Sequence, residues 1–119
     1  MTQMNTGTDL VPSARREGDS VIAAVKGEID LHNSPALRTA LLEALGKQTP
    51  KKLIVNLAQV PYMDSSAIAV LVEALQKLRK TGGKVILTNL QPRVRGLLEI
   101  ARLDAIFVLA KDDAEAMGK

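Results

Sequence analysis

Residues 60–71 read Val60-Pro61-Tyr62-Met63-Asp64-Ser65-Ser66-Ala67-Ile68-Ala69-Val70-Leu71, and they join two different hydrophobic patterns. Upstream, Lys52-Leu53-Ile54-Val55-Asn56-Leu57 is a compact apolar run with β-branched residues, the pattern of a strand buried on both faces. Downstream, Ile68, Leu71, Val72, Leu75 and Leu78 recur at helical spacing. A buried strand that turns into an amphipathic helix is half of a parallel crossover unit. Asp64 stands where that helix needs its N-cap, because a carboxylate there accepts from the free backbone N–H groups of the first turn. Ser65 and Ser66 follow in the first turn, at the positive end of the helix dipole. Helical geometry sets Ser66, Glu73, Lys77 and Lys80 opposite the apolar stripe, with Ala69 and Val70 toward the polar side. Ser65 falls near the edge of the stripe, but at a helix end its hydroxyl reaches solvent. Two hydroxyls beside a small exposed apolar patch suit a docking surface better than a catalytic cleft. The plainer reading is a capping aspartate followed by ordinary first-turn serines.

The alternation of strand and helix continues in both directions. Residues 1–8 are polar without periodicity and are expected to form a flexible tail. Residues 9–17 alternate weakly, and Pro12 confines them to an interrupted or edge strand. Glu17-Gly18-Asp19-Ser20 is turn chemistry, so the strand at Val21–Val25 runs antiparallel to the first. After a loop from Gly27 to Asn33, Ser34 is expected to cap a helix with Pro35 at its first position, Leu37, Leu41 and Leu45 on its buried face and Gly46 at its end. Gly82-Gly83 stops the Asp64 helix. A strand at Lys84–Thr88, a helix from Pro92 to Ala101, a short strand at residues 105–109 and a terminal helix from Asp112-Asp113 complete the chain. The fold class is α/β: one domain over residues 9–117, with a mixed, mostly parallel sheet of four to five strands and about four helices packed on it. The loops at Gly27–Asn33, Ala58–Asp64 and Asn89–Gln91 leave the carboxyl ends of strands, where sites form in open sheets, and should cluster at one end.

Composition narrows the function classes. A chain of 119 residues holds one core. Aromatic residues are only 2%, so the core is built from Leu, Ile, Val and Ala, and stacking on bases or sugars is poorly provided for. The 16 basic and 13 acidic residues are well mixed, with no basic stripe to call for direct nucleic-acid contact. There is no cysteine, hence no disulfide framework and no thiolate metal site. No apolar run reaches the ~20 residues of a membrane span, so any membrane contact goes through a partner. No nucleophile elbow, P-loop or dinucleotide fingerprint occurs, and the lone His32 has no Ser-His-Asp setting. No catalytic residue, cofactor or metal is expected.

Met63-Asp64-Ser65-Ser66 before an apolar helix resembles the phosphorylation motif of bacterial anti-sigma factor antagonists, in the STAS family (sulfate transporter and anti-sigma factor antagonist domains). Gly27-Glu28-Ile29-Asp30-Leu31 resembles that family's second signature, and the similarity in layout runs from about Ser20 to Phe107. Where the family usually has Gly after the two hydroxyl residues, this chain has Ala67. The resemblance implies that Ser65 is the phosphoacceptor and that Glu28, Asp30, Asp64, Ser65, Ser66, Ala69 and Val70 belong to a partner-binding surface. Geometry alone gives Asp30 a bracing role in its loop and Glu28 a solvated one. The implied function is a cytoplasmic switch, a monomer or weak dimer. Unphosphorylated, it binds an anti-sigma factor that is also a serine kinase and frees a sigma factor; phosphorylation ends the binding, and a serine phosphatase resets it. Two rivals are an unphosphorylated STAS scaffold or accessory subunit of a transporter or signalling assembly, and a small enzyme or phosphocarrier using Asp64, Ser65 and His32.

Overall fold

A computed structural model describes residues 10–119 and the backbone of Thr2–Met4. In chain order the elements are β1 (Thr2–Met4), β2 (Ser13–Glu17), β3 (Ser20–Lys26), α1 (Ser34–Leu45), β4 (Lys52–Gln59), α2 (Ser65–Arg79), β5 (Lys84–Thr88), α3 (Pro92–Ile100), a 3-10 turn (Leu103–Ala105), β6 (Val108–Ala110) and α4 (Asp113–Met117). The strands form one sheet in the order β1-β2-β3-β4-β5-β6. The first two pairings are antiparallel and the other three are parallel. The α/β class and the mixed, mostly parallel sheet are as the sequence predicts. Strands β2–β6 are the five expected ones, and β1 adds a sixth.

Strand alternation divides the core. Val21, Ala23 and Val25 of β3, Leu53, Val55 and Leu57 of β4, and Val85 and Leu87 of β5 are buried in one cluster with α1, α2 and α3. The intervening Ile22, Ile54 and Ile86 are cross-strand neighbours and form a second cluster with Ala110 and Ala116. β4 is thus buried on both faces, and α4 covers the second of them. Polar anchors position this short helix. The Asp112 carboxylate accepts from Glu115 N–H at 2.9 Å. Asp113 accepts from Thr88 Oγ1 at 2.7 Å and from Asn56 Nδ2 at 3.0 Å. Lys52 Nζ donates to the carbonyls of Ala116 and Met117 at the far end, where a cation suits the helix dipole.

Two local expectations change. Residues 1–8 are predicted as a tail, yet Thr2–Met4 pairs with β2 as the edge strand. The edge of β2 carries a row of backbone donors and acceptors that such a segment satisfies. The rest of that predicted tail, Met1 and residues 5–8, lies outside the described residues. Asn33, not Ser34, is the N-cap residue of α1, and its side chain makes no capping bond. Its amide is engaged in the preceding loop, donating to Glu28 O at 2.9 Å and accepting from Asp30 N–H at 2.8 Å. Ser34 is buried in the first turn, its N–H donated to Asp30 O.

Candidate functional site

The two sequence motifs meet at the carboxyl ends of β3 and β4. Gly27 N–H donates to Gln59 O at 2.9 Å, and Ile29 N–H to Tyr62 O at 3.1 Å. Asp64 N–H donates back to Ile29 O at 3.0 Å, closing a parallel bridge between Ile29 and Met63. The third loop joins through Gln91 Nε2, which donates to Ala58 O at 2.7 Å. The predicted clustering of the three loops therefore holds.

Asp64 is the junction. It caps α2 as expected, its Oδ1 accepting from the Ser66 N–H at 2.9 Å and from the Ser66 hydroxyl at 2.5 Å. Its Oδ2 accepts from Leu31 N–H at 3.1 Å, so one carboxylate serves both the helix start and the neighbouring loop. The Ser66 hydroxyl, helped by the backbone N–H groups of Ser66, Ala67 and Leu31, holds the Asp64 carboxyl below the ordinary aspartate range. A carboxyl depressed in the folded state contributes stability above its unfolded value, near pH 4, and loses it as pH falls through the folded value. Ser66→Ala should therefore move the Asp64 titration upward, toward the ordinary range, in a carboxyl-detected NMR titration. An unmoved titration would contradict the role given to the Ser66 hydroxyl.

Ser65 is exposed in the first turn of α2, and among the described residues its hydroxyl has no hydrogen-bond partner. The neighbouring serines thus differ: the Ser66 hydroxyl is committed to Asp64, whereas that of Ser65 is free. Ser65 and Asp64 line a groove of about 410 Å³ against α3, together with Tyr62, Arg93, Leu97 and Ile100. The Arg93 guanidinium carbon lies 5.0 Å from the centroid of the Tyr62 ring, in stacking range for a cation on an aromatic face. Among the described residues no three His, Asp or Glu side chains converge as a metal site would need.

Glu28 and Asp30 are exposed in the neighbouring loop and do not line the groove, and Asp30 braces its own turn, Oδ1 accepting from His32 N–H at 2.9 Å and Asn33 N–H at 3.1 Å. Ala69 is exposed as predicted, but Val70 is only 8% exposed and joins the main core. The reason is α1. α1 lies along the Glu73 side of α2, where Arg38 of α1 meets Glu73 with both Nε and Nη2 at 2.6–2.9 Å. Val70 lies one turn earlier on that side. The predicted Ala69–Val70 patch is therefore not the exposed apolar surface. Among the described residues the most exposed large apolar side chains are instead Leu31, 76% exposed, and Ile100, 85% exposed. Both carried a signal in the sequence: Leu31 is a large apolar side chain inside a polar turn, and Ile100 lies off the Val94–Leu98 stripe of α3. In the sequence Arg93 and Arg95, near a helix start, read as able to steer a phosphate or an acidic partner but more often solvated, and only the packing of α3 brings Arg93 into the same groove as Ser65.

The STAS domain family model matches residues 11–116. The anti-sigma-B factor antagonist of Bacillus subtilis (strain 168) is 32% identical over 111 residues, covering 92% of this chain and 96% of that protein. An anti-sigma factor antagonist from Mycobacterium paratuberculosis has the same fold, with a TM-score of 0.78 at 23% identity over 98% of this chain and 91% of that one. SpoIIAA in its unphosphorylated form matches with a TM-score of 0.67 at 21% identity over 87% of this chain and 91% of that one. Bacillus SpoIIAA has also been solved in a phosphorylated form. From its two motifs, its sheet and the span of these matches, the chain belongs to the STAS domain family.

Proposed function

We propose that the chain is an anti-sigma factor antagonist whose binding is switched by phosphorylation of Ser65. Unphosphorylated, it binds an anti-sigma factor that is also a serine kinase, sequesters it and so releases a sigma factor. The kinase supplies the ATP, phosphate on Ser65 ends the binding, and a serine phosphatase restores it. The protein acts by binding, not turnover, in the cytoplasm, as a monomer or weak dimer. We take residues 9–117 as its STAS domain.

The observation that carries this reading is the contrast between the two serines, one hydroxyl free at the mouth of a groove and the other tied to Asp64. Relatives named as antagonists of anti-sigma factors support the choice of partner. The helix start is a favourable place for a phosphate, because the positive end of the helix dipole lies there. Buried Ala67 firms that start, since alanine favours the helix where glycine would loosen it. The binding surface comprises Glu28, Asp30, Asp64, Ser65, Ser66 and Ala69. Leu31 and Ile100 provide its apolar anchors in place of Val70.

The test is calorimetry with the cognate anti-sigma factor. The unphosphorylated chain is expected to bind, and ATP to release it as phosphate accumulates. No complex in either state would refute the antagonist reading. A complex indifferent to phosphate would favour the scaffold.

A further inference from the structure

We propose that Arg93 is the counter-ion of the phosphate on Ser65, pairing with it across the groove and leaving its stack on Tyr62; this rests on the reading of Ser65 as phosphoacceptor.

Among the described residues lining the groove, Arg93 is the one cation and Asp64 the one anion. Asp64 is fully engaged, accepting from Ser66 and Leu31. It is therefore fixed in place, and it repels a phosphate on the next residue. That repulsion directs the phosphate away from the cap and toward the α3 wall, where Arg93 stands. Arg93 has no acidic partner among the described residues. Stacking on Tyr62 uses only the face of the guanidinium and leaves its N–H edges open. Those edges match the three acceptor oxygens of a phosphate, and paired arginine–phosphate bonds are among the stronger charge-assisted ones. A stack on a half-buried ring is weak by comparison. Pairing would consume the one positive charge among the described residues lining the groove and uncover the Tyr62 ring, so one modification changes both the charge and the shape presented to a partner.

The test installs phosphoserine at position 65 of the full chain by genetic incorporation, which requires no kinase. The second ionisation of the phosphate is then followed by phosphorus NMR against pH. In the parent chain it should fall below its ordinary value near 6, because a nearby cation favours the dianion. Arg93→Gln should raise it by on the order of half a unit, a modest shift because the pair is exposed to solvent. Arg93→Lys should recover part of the difference. Arg95→Gln, on the same helix but outside the groove, should match the parent. Identical titrations for the parent and Arg93→Gln would overturn the pairing, and so would an equal shift in Arg95→Gln. Failure of a kinase to modify Ser65 would instead strike the function proposed above and leave this titration's outcome as it stands.

Discussion

Ser65→Asp is expected to lower affinity for the anti-sigma factor at least tenfold, a loss of about 1.4 kcal/mol, while leaving the thermal midpoint of the chain unchanged or slightly raised. The two halves of this result have separate causes. Ser65 is exposed, and its hydroxyl makes no bond among the described residues, so folding loses nothing when it is replaced. A carboxylate in the first turn is favoured by the helix dipole. The same charge stands in the groove beside Asp64 and the apolar side chains of Leu97 and Ile100, where a partner must be desolvated. An aspartate carries one charge where a phosphate carries nearly two, so the mimic should be the weaker of the two effects. Ser65→Ala should bind like the parent chain and accept no phosphate. Calorimetry measures both variants, and Tyr62 offers a second readout, since it is the only tyrosine and there is no tryptophan. Parent-like affinity in Ser65→Asp would mean that charge at this position is not the switch.

Leu71→Ala is expected to cost about 2–5 kcal/mol, out of the 5–15 that a domain of this kind has in total. Leu71 is 1% exposed in the main core, on the face of α2 that also carries Ile68, Leu75 and Leu78. Truncation there removes favourable burial and leaves a cavity that the closely packed sheet and helices relax into only partly. Urea denaturation gives the value directly. Binding by the fraction that stays folded should be nearly unchanged, because Leu71 does not reach the groove. A loss below ~1 kcal/mol would contradict the packing of α2 described above.

The parts of the structure that follow from local chemistry were legible in the sequence. Asp64 as N-cap and Gly46 as helix terminator depend on neighbours close in the chain, and the two-faced burial of β4 shows in its own unbroken apolar run, although the elements that cover it are distant. The clustering of the three loops was also legible, since it follows from parallel strands sharing one direction. What failed depended mostly on contacts distant in sequence, the cap of α1 being the local exception. The burial of Val70 comes from α1, which packs on α2 and widens its buried arc to take in Ala67, Val70 and Ala74. The cap of α1 was misplaced by one residue because Asn33 and Ser34 both suit an N-cap. The amide of Asn33 is drawn back to Glu28 and Asp30. Arg93 stands out in the sequence only as one of two arginines near a helix start, able to steer a phosphate but read as solvated, because only the tertiary placement of α3 sets it on Tyr62. Asp30 had two readings: its bracing bonds are present, and its place in the partner surface remains part of the proposal.

The central claim is that Ser65, and not Ser66, takes the phosphate. Mass-spectrometric mapping after incubation with the anti-sigma factor kinase and ATP tests it most directly, on the parent chain, Ser65→Ala and Ser66→Ala. The account predicts one phosphate on Ser65 in the parent and in Ser66→Ala, and none in Ser65→Ala. Phosphate on Ser66, or on neither serine while the kinase is active, would contradict it.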